Sequence, residues 1–145
     1  MKVKIKRIDK SLPLPVYETS GSVGFDIVSR EDVVIKPKEI ALIPGNVIVE
    51  TPPGYMLLLT LRSSTPKKKG LIKPHGVGVV DQDYRGEKDE VKVQVYNISD
   101  KETKINKGEK VAQGIFVRID KFEWEEQQEM GKSRGGFGST DYKLK

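Results

Sequence analysis

Hydrophobic and polar positions alternate with a period of two over much of the chain. In "KVKIKRI" (Lys2 to Ile8), Val3 and Ile5 fall on one face with lysines opposite, and in "VKVQVYNI" (Val91 to Ile98) Val91, Val93 and Val95 do the same. Both segments predict half-buried strands. Between them lie "DVVIKP", "IALIPGNVIVETPPGYMLLLTLRSS" and "GVGVVDQDY", and later "EKVAQGIFVRI". Each is a short aliphatic run punctuated by Pro or Gly. Strands at such spacing, with no long segment of period 3.6, predict an all-β sandwich, barrel or jelly roll. The one helical candidate, "FEWEEQQEM" (Phe122 to Met130), is short enough to predict an extended or weakly helical connector. The closing stretch "GKSRGGFGSTDYKLK" (Gly131 to Lys145) is Gly- and Ser-rich with one embedded aromatic. It cannot build core and is expected to be a flexible arm, residues 131–145, after a single domain spanning residues 1–130.

A chain of 145 residues is long enough for one domain with a substantial core, since such a domain buries about 70% of its unfolded surface. No apolar run approaches the roughly 20 residues of a membrane span. The start, "MKVKIKRIDK", lacks the continuous apolar stretch of a secretory signal. Cytoplasm is the expected compartment, or host cytoplasm or nucleus for a viral protein. With no cysteine and one histidine, His75, a single chain has no disulfide, no thiolate nucleophile, no Cys-based zinc site and no His cluster. Chemistry is left to carboxylates, hydroxyls, amides, backbone groups and a hard cation bound through oxygen. The net charge of +5 favours polyanionic partners, but the 26 basic and 21 acidic residues intermix. The basic block "PKKKG" (Pro66 to Gly70) reads as a solvated loop.

Five segments are denser in polar and glycine residues than a β-scaffold requires. They are "GSVGFDI" (Gly21 to Ile27), "LRSSTPKKKG" (Leu61 to Gly70), "GVVDQDYRGE" (Gly78 to Glu87), "KGEKVAQGIF" (Lys107 to Phe116) and "SRGGFGSTD" (Ser133 to Asp141). Singly, each reads most simply as a glycine turn or strand end, with "GVVDQDYRGE" a hairpin turn between two strands. Together, in this order, they resemble the motif series of the trimeric dUTP pyrophosphatases over essentially the whole chain, including the entry "LPLPVYETSGSVGFDI".

The resemblance implies a jelly-roll-like β-barrel that hydrolyses dUTP to dUMP and pyrophosphate by water attack on the α-phosphorus. Such an activity keeps uracil out of DNA and supplies dUMP for thymidylate synthesis. Mg²⁺ is implied as cofactor, bound through the triphosphate and water with no direct protein ligand. A homotrimer with active sites shared between subunits is implied as well, with no nucleic-acid or membrane partner. By the same resemblance Asp81 is the general base, a role that contributes roughly 10²- to 10⁴-fold. Tyr84 lies under the deoxyribose and leaves no room for a 2′-hydroxyl. The hairpin "KPHGVGVVD" reads uracil with backbone groups, and Gly76 and Gly78 suit a close backbone approach. Arg62, Ser63, Ser64 and Gln113 reach the phosphates as preorganised donors, with Asp26 in support. In the arm, Phe137 stacks over uracil, while Gly138, Ser139 and Thr140 wrap the γ-phosphate.

Two positions depart from the family pattern. Lys132 stands where the family commonly has arginine, with Arg134 two residues closer to Phe137. Lysine lacks the bidentate fork, so either Lys132 meets the γ-phosphate less specifically or Arg134 shares the role, which we favour. Asp141 occupies a place where a small residue usually follows. His75 reads as an exposed turn residue, and Asp83 as a turn cap. Two rivals stand beside this reading. A dCTP deaminase-type relative shares part of the motif series, but "DQDYRGE" and "GGFGSTD" argue against it. A non-enzymatic nucleotide-binding protein has little use for Asp81, and the aromatics are not interleaved with basic residues as a strand-binding face wants.

Overall fold

The computed structural model describes residues 1–137; residues 138–145, and with them Gly138, Ser139, Thr140 and Asp141, lie outside the described residues. Eleven strands and one short helix follow in order. They are β1 (Ile5–Arg7), β2 (Phe25–Val28), β3 (Val33–Ile35), β4 (Ile40–Pro44), β5 (Val47–Val49), β6 (Tyr55–Leu61), α1 (Thr65–Lys69), β7 (Leu71–Ile72), β8 (Gly78–Val80), β9 (Lys92–Asn97), β10 (Thr103–Ile105) and β11 (Lys110–Arg118). The architecture is all-β and jelly-roll-like, as the strand pattern predicts. All pairings are antiparallel, in four sheets that hydrogen bonding does not close into one barrel: β2-β11-β6-β8, β4-β9-β7, β1-β5 and β10-β3.

The two larger sheets bury their aliphatic faces against each other. β9 alternates as its sequence predicts, with Val93 and Val95 inward and Lys92 outward. Leu57 and Leu59 of β6 meet them in the core with Ile27, Ile43, Leu71 and Val91. Each such side chain contributes about 1.5–3 kcal/mol relative to exposure. Strand β11 breaks the period at Val111 and Ala112, both buried, where a bulge shifts its register against β2.

Two sequence expectations change and a third is narrowed. The block "PKKKG" is not a loop: Thr65–Lys69 forms a helical turn with Pro66 in its first turn, where the missing N–H costs nothing, and Gly70 in the left-handed conformation as cap. Residues Phe122 to Met130 form neither helix nor strand and are exposed, with Trp124 98% accessible, so the helical alternative falls. The segment "GVVDQDYRGE" does not join two paired strands. β8 pairs with β6, while β9 pairs with β4 and β7, so residues 81–91 carry the chain from one sheet to the other. Likewise the turn before Asp81, closed by Gly76 N–H to the Lys73 carbonyl at 3.3 Å, joins β7 and β8 in different sheets. Among the described residues no helix is long and apolar enough to cross a membrane.

One buried ion pair ties this crossing to the body. The Glu90 carboxylate accepts from Arg30 Nε at 2.8 Å and Nη2 at 3.2 Å, and from the backbone N–H of Asn46 at 3.0 Å. The pair holds the Arg30 guanidinium above its usual value. Removing one partner strands a buried charge, which costs several kcal/mol. Because Arg30 keeps part of its guanidinium in solvent, Arg30→Ala is expected to destabilise the fold by about 2–3 kcal/mol in urea unfolding; a change under about 0.5 kcal/mol contradicts this role for the pair.

Candidate active site

Strands β2, β11 and β6 bring the first group of polar residues together. The register sets Gln113 opposite Asp26 on one side and Thr60 on the other, so the three stand in one row. Asp26 Oδ1 lies 3.2 Å from Arg62 Nε, and Oδ2 lies 2.8 Å from Lys110 Nζ. Lys110 also pairs with Glu18, and the hydrogen bonds that its ammonium donates to Asp26 and then Glu18 raise it above its usual value. Gln113 Nε2 donates to the Leu61 carbonyl at 3.3 Å. Gly24 leaves room for this amide: a Cβ there would stand 2.9 Å from Gln113 Oε1. Ser63 is exposed and Ser64 partly so, and the Ser64 hydroxyl makes no capping bond to α1. The result is a cationic rim with unspent donors, suited to an anion.

The second group lies beyond β6. Asp81, exposed, follows β8 directly and sits at the edge of a cleft of about 470 Å³ lined also by Leu59, Lys73, His75, Gly78 and Tyr84. The loop beyond is closed by Tyr84 N–H to the Asp81 carbonyl at 3.3 Å and Arg85 N–H to the Asp83 carbonyl at 3.0 Å. Backbone groups, not the Asp83 carboxylate, therefore cap this turn. Tyr84 Oη donates to the Glu90 carbonyl at 3.1 Å, which fixes the ring through the buried pair. Gln82 Nε2 donates to the Tyr55 carbonyl at 2.9 Å, anchoring the same loop on β6. The two glycines differ in purpose. Gly76 has φ +78° with open space at its Cβ position, so it serves the turn's conformation, whereas a Cβ on Gly78 would press to 3.1 Å of Leu59 Cβ.

Within one chain these groups stay apart. Leu57 pairs with Val80, which puts Asp81 beside the start of β6, while Arg62 follows its end. Six residues of strand at about 3.3 Å each separate them by roughly 20 Å. The described part of the arm reaches neither group: Lys132, Arg134 and Phe137 are exposed, and Phe137 has φ 49°. The side chains that the sequence did not single out are Lys110, Glu18, Lys73, Gln82, Glu90 and Arg30. For Lys110 the signal lies in its place two residues before Ala112 on a strand facing Asp26, legible only once the register is known.

The family model described as dUTPase matches residues 10–141. The chain belongs to the dUTPase family. A deoxyuridine 5′-triphosphate nucleotidohydrolase of Hydrogenobaculum is 40% identical over 99% of this chain and 100% of its own length. Among solved structures, the dUTPase of Streptococcus mutans superposes with a TM-score of 0.76 at 31% identity, covering 83% of this chain and 98% of that one. The Staphylococcus bacteriophage 80alpha dUTPase with dUPNHPP superposes at 0.84 with 27% identity, covering 95% of this chain and 97% of that one.

Membership in the dUTPase family gives the cationic rim a testable purpose. Asp26→Asn removes the charge that holds Arg62 and Lys110, and we expect kcat/KM for dUTP to fall roughly tenfold. Global stability is expected to change by less than about 1 kcal/mol, because both cations are substantially solvated. A variant with unaltered kinetics contradicts a positioning role for Asp26.

Proposed function

We propose that the chain hydrolyses dUTP to dUMP and pyrophosphate, with the cleft beside β8 taking the nucleoside and the Asp26–Arg62–Gln113 row taking phosphates. The observation that carries this reading is Asp81, an exposed carboxylate on the lip of the cleft that Gly78 and Tyr84 also line. Asp81 takes the proton of a water whose oxygen attacks the α-phosphorus; the bond from that phosphorus to the bridging oxygen breaks, and pyrophosphate leaves with the bridging oxygen. The ring of Tyr84, held by Glu90, forms the floor beneath the deoxyribose. Backbone groups around Gly76 and Gly78 read the uracil edge, and a mismatched edge leaves buried groups unpaired at about 1–3 kcal/mol each. Arg62, Ser63, Ser64 and Gln113 donate to the phosphates where charge develops. In the arm, residues 131–145, Phe137 stacks on the base and Gly138, Ser139 and Thr140 meet the γ-phosphate together with Lys132 or Arg134, closing a lid over the cleft.

The donor set fits Mg²⁺ carried by the substrate. No group of three or more His, Asp or Glu side chains converges among the described residues, and magnesium readily keeps its waters while binding phosphate oxygens. Bound in this way the ion supplies charge neutralisation of the triphosphate, and Asp81 remains available as base.

The roughly 20 Å between Asp81 and Arg62 means that one chain does not complete the site, which supports a homotrimer in which copies exchange halves. Outward-facing Ile40, Leu42 and Val79 lie on β4 and β8, each more than half exposed, and such apolar surface favours a neighbouring copy.

Turnover in ¹⁸O-labelled water is expected to place the label in dUMP. Asp81→Asn is expected to lose at least about 10²-fold in kcat while still binding a non-hydrolysable dUTP analogue. Label in pyrophosphate, or full activity of the variant, contradicts the proposal.

A further inference from the structure

We propose that Lys73 sets base specificity together with the backbone groups around Gly76 and Gly78, its ammonium donating to the O4 carbonyl of uracil in the cleft and refusing the amino group that cytosine carries there. The inference rests on the reading that this cleft takes the nucleoside.

Strand β7 pairs Leu71 with Asn97 and Ile72 with Tyr96. Continued by two residues, that register sets Pro74 opposite Gln94. Proline has no N–H to donate, and the ladder ends. The Gln94 carbonyl belongs to this open side of β9, because the adjacent Ile98 N–H bonds to Gly70 on the β7 side while Asn97 N–H bonds to Glu39 on the β4 side. Lys73 supplies the missing donor: its Nζ lies 3.4 Å from the Gln94 carbonyl. The ammonium thereby spans a seam between β9 and β8, where no strand pairing exists, and it stands 3.5 Å from the position of a Cβ built on Gly78.

That carbonyl uses one of three N–H donors, and at a long distance. No carboxylate of the described residues lies within ion-pair distance of Lys73, whereas Lys69, Lys107 and Lys110 all have one. Burial alone lowers the ammonium's pKa. A half-buried cation with unspent donors beside Leu59, Val80 and Tyr84 is satisfied by a carbonyl oxygen and opposed by an amino group.

The orientation of a nucleotide selects which carbonyl. Asp81 lies at the lip, so the α-phosphate and sugar stay there, and the base enters with the edge opposite the glycosidic bond foremost. On a pyrimidine that edge carries O4 in uracil and the amino group in cytosine. The O2 carbonyl, common to both bases, stays near the sugar and carries no discrimination.

The test measures dUMP and dCMP affinity by calorimetry for the wild-type chain, Lys73→Met and Lys73→Arg. A hydrogen bond to a charged group implies that Lys73→Met weakens dUMP binding roughly 10- to 100-fold while leaving dCMP within about threefold, collapsing the preference. Lys73→Arg keeps a cation and retains most of the preference. A structural strut predicts equal losses for both nucleotides, which overturns the proposal. If Lys73→Met does not fold, the wild-type chain decides: the 2-pyrimidinone nucleoside monophosphate, which lacks O4, is expected to bind at least tenfold more weakly than dUMP, and equal affinity overturns the proposal. Failure of the cleft assignment itself looks different, because Tyr84→Ala then leaves dUMP affinity unchanged.

Discussion

Strand β6 sets the distance on which the whole site depends. Its seven residues hold Asp81 near one end, through pairing with β8, and Arg62 just past the other. A rigid, hydrogen-bonded strand cannot shorten, and no rotamer of Arg62 or Asp81 spans roughly 20 Å. Each half is well formed where it stands. The row containing Arg62 and Gln113 is braced by Asp26, and the cleft beside β8 is bordered by the loop that carries Tyr84. On the proposed function the fold supplies two half-sites per chain, which juxtaposed copies would unite.

The loop that carries Tyr84 is braced by groups outside the cleft. Glu90 is buried beneath the crossing from β8 to β9, neutralised by Arg30 and bonded by Asn46, whose backbone adopts φ 66°. Asn46 in turn fixes the N-terminal segment, accepting from Asp9 N–H through Oδ1 at 2.7 Å and donating to the Asp9 carbonyl at 3.1 Å. Through the Glu90 carbonyl this lattice reaches Tyr84. A loop with little apolar content of its own thus presents a fixed Tyr84 ring at the cleft, the kind of preorganisation that the proposed function calls for.

The strands and the core were legible in the sequence, but the spatial grouping of the candidate site residues was not. Val93 and Val95 declare β9 by alternation, and the first four polar segments contain the residues that the fold then sorts into two groups. Residues such as Lys73 and Lys110 look like ordinary surface lysines in the sequence, because their significance arises from partners 21 and 84 positions away, Gln94 and Asp26. The helical turn at Thr65–Lys69 was hidden by its charge, although Pro66 and Gly70 are ordinary start and stop signals. The crossing at "GVVDQDYRGE" resembled a hairpin because local pattern specifies strands and turns without specifying which strands pair. The grouping of Asp26, Arg62 and Gln113 required the register of β2 and β6 on β11, a long-range property.

Mixing two inactive chains tests the central claim most directly. Asp81→Asn and Arg62→Ala are unfolded together, refolded and assayed for pyrophosphate release from dUTP. If each site draws Asp81 and Arg62 from different copies, random assembly restores roughly a quarter of the wild-type rate, since each required half is intact in half of the chains. If one chain must supply both residues, every site in the mixture lacks one of them, and the mixture stays as inactive as its components.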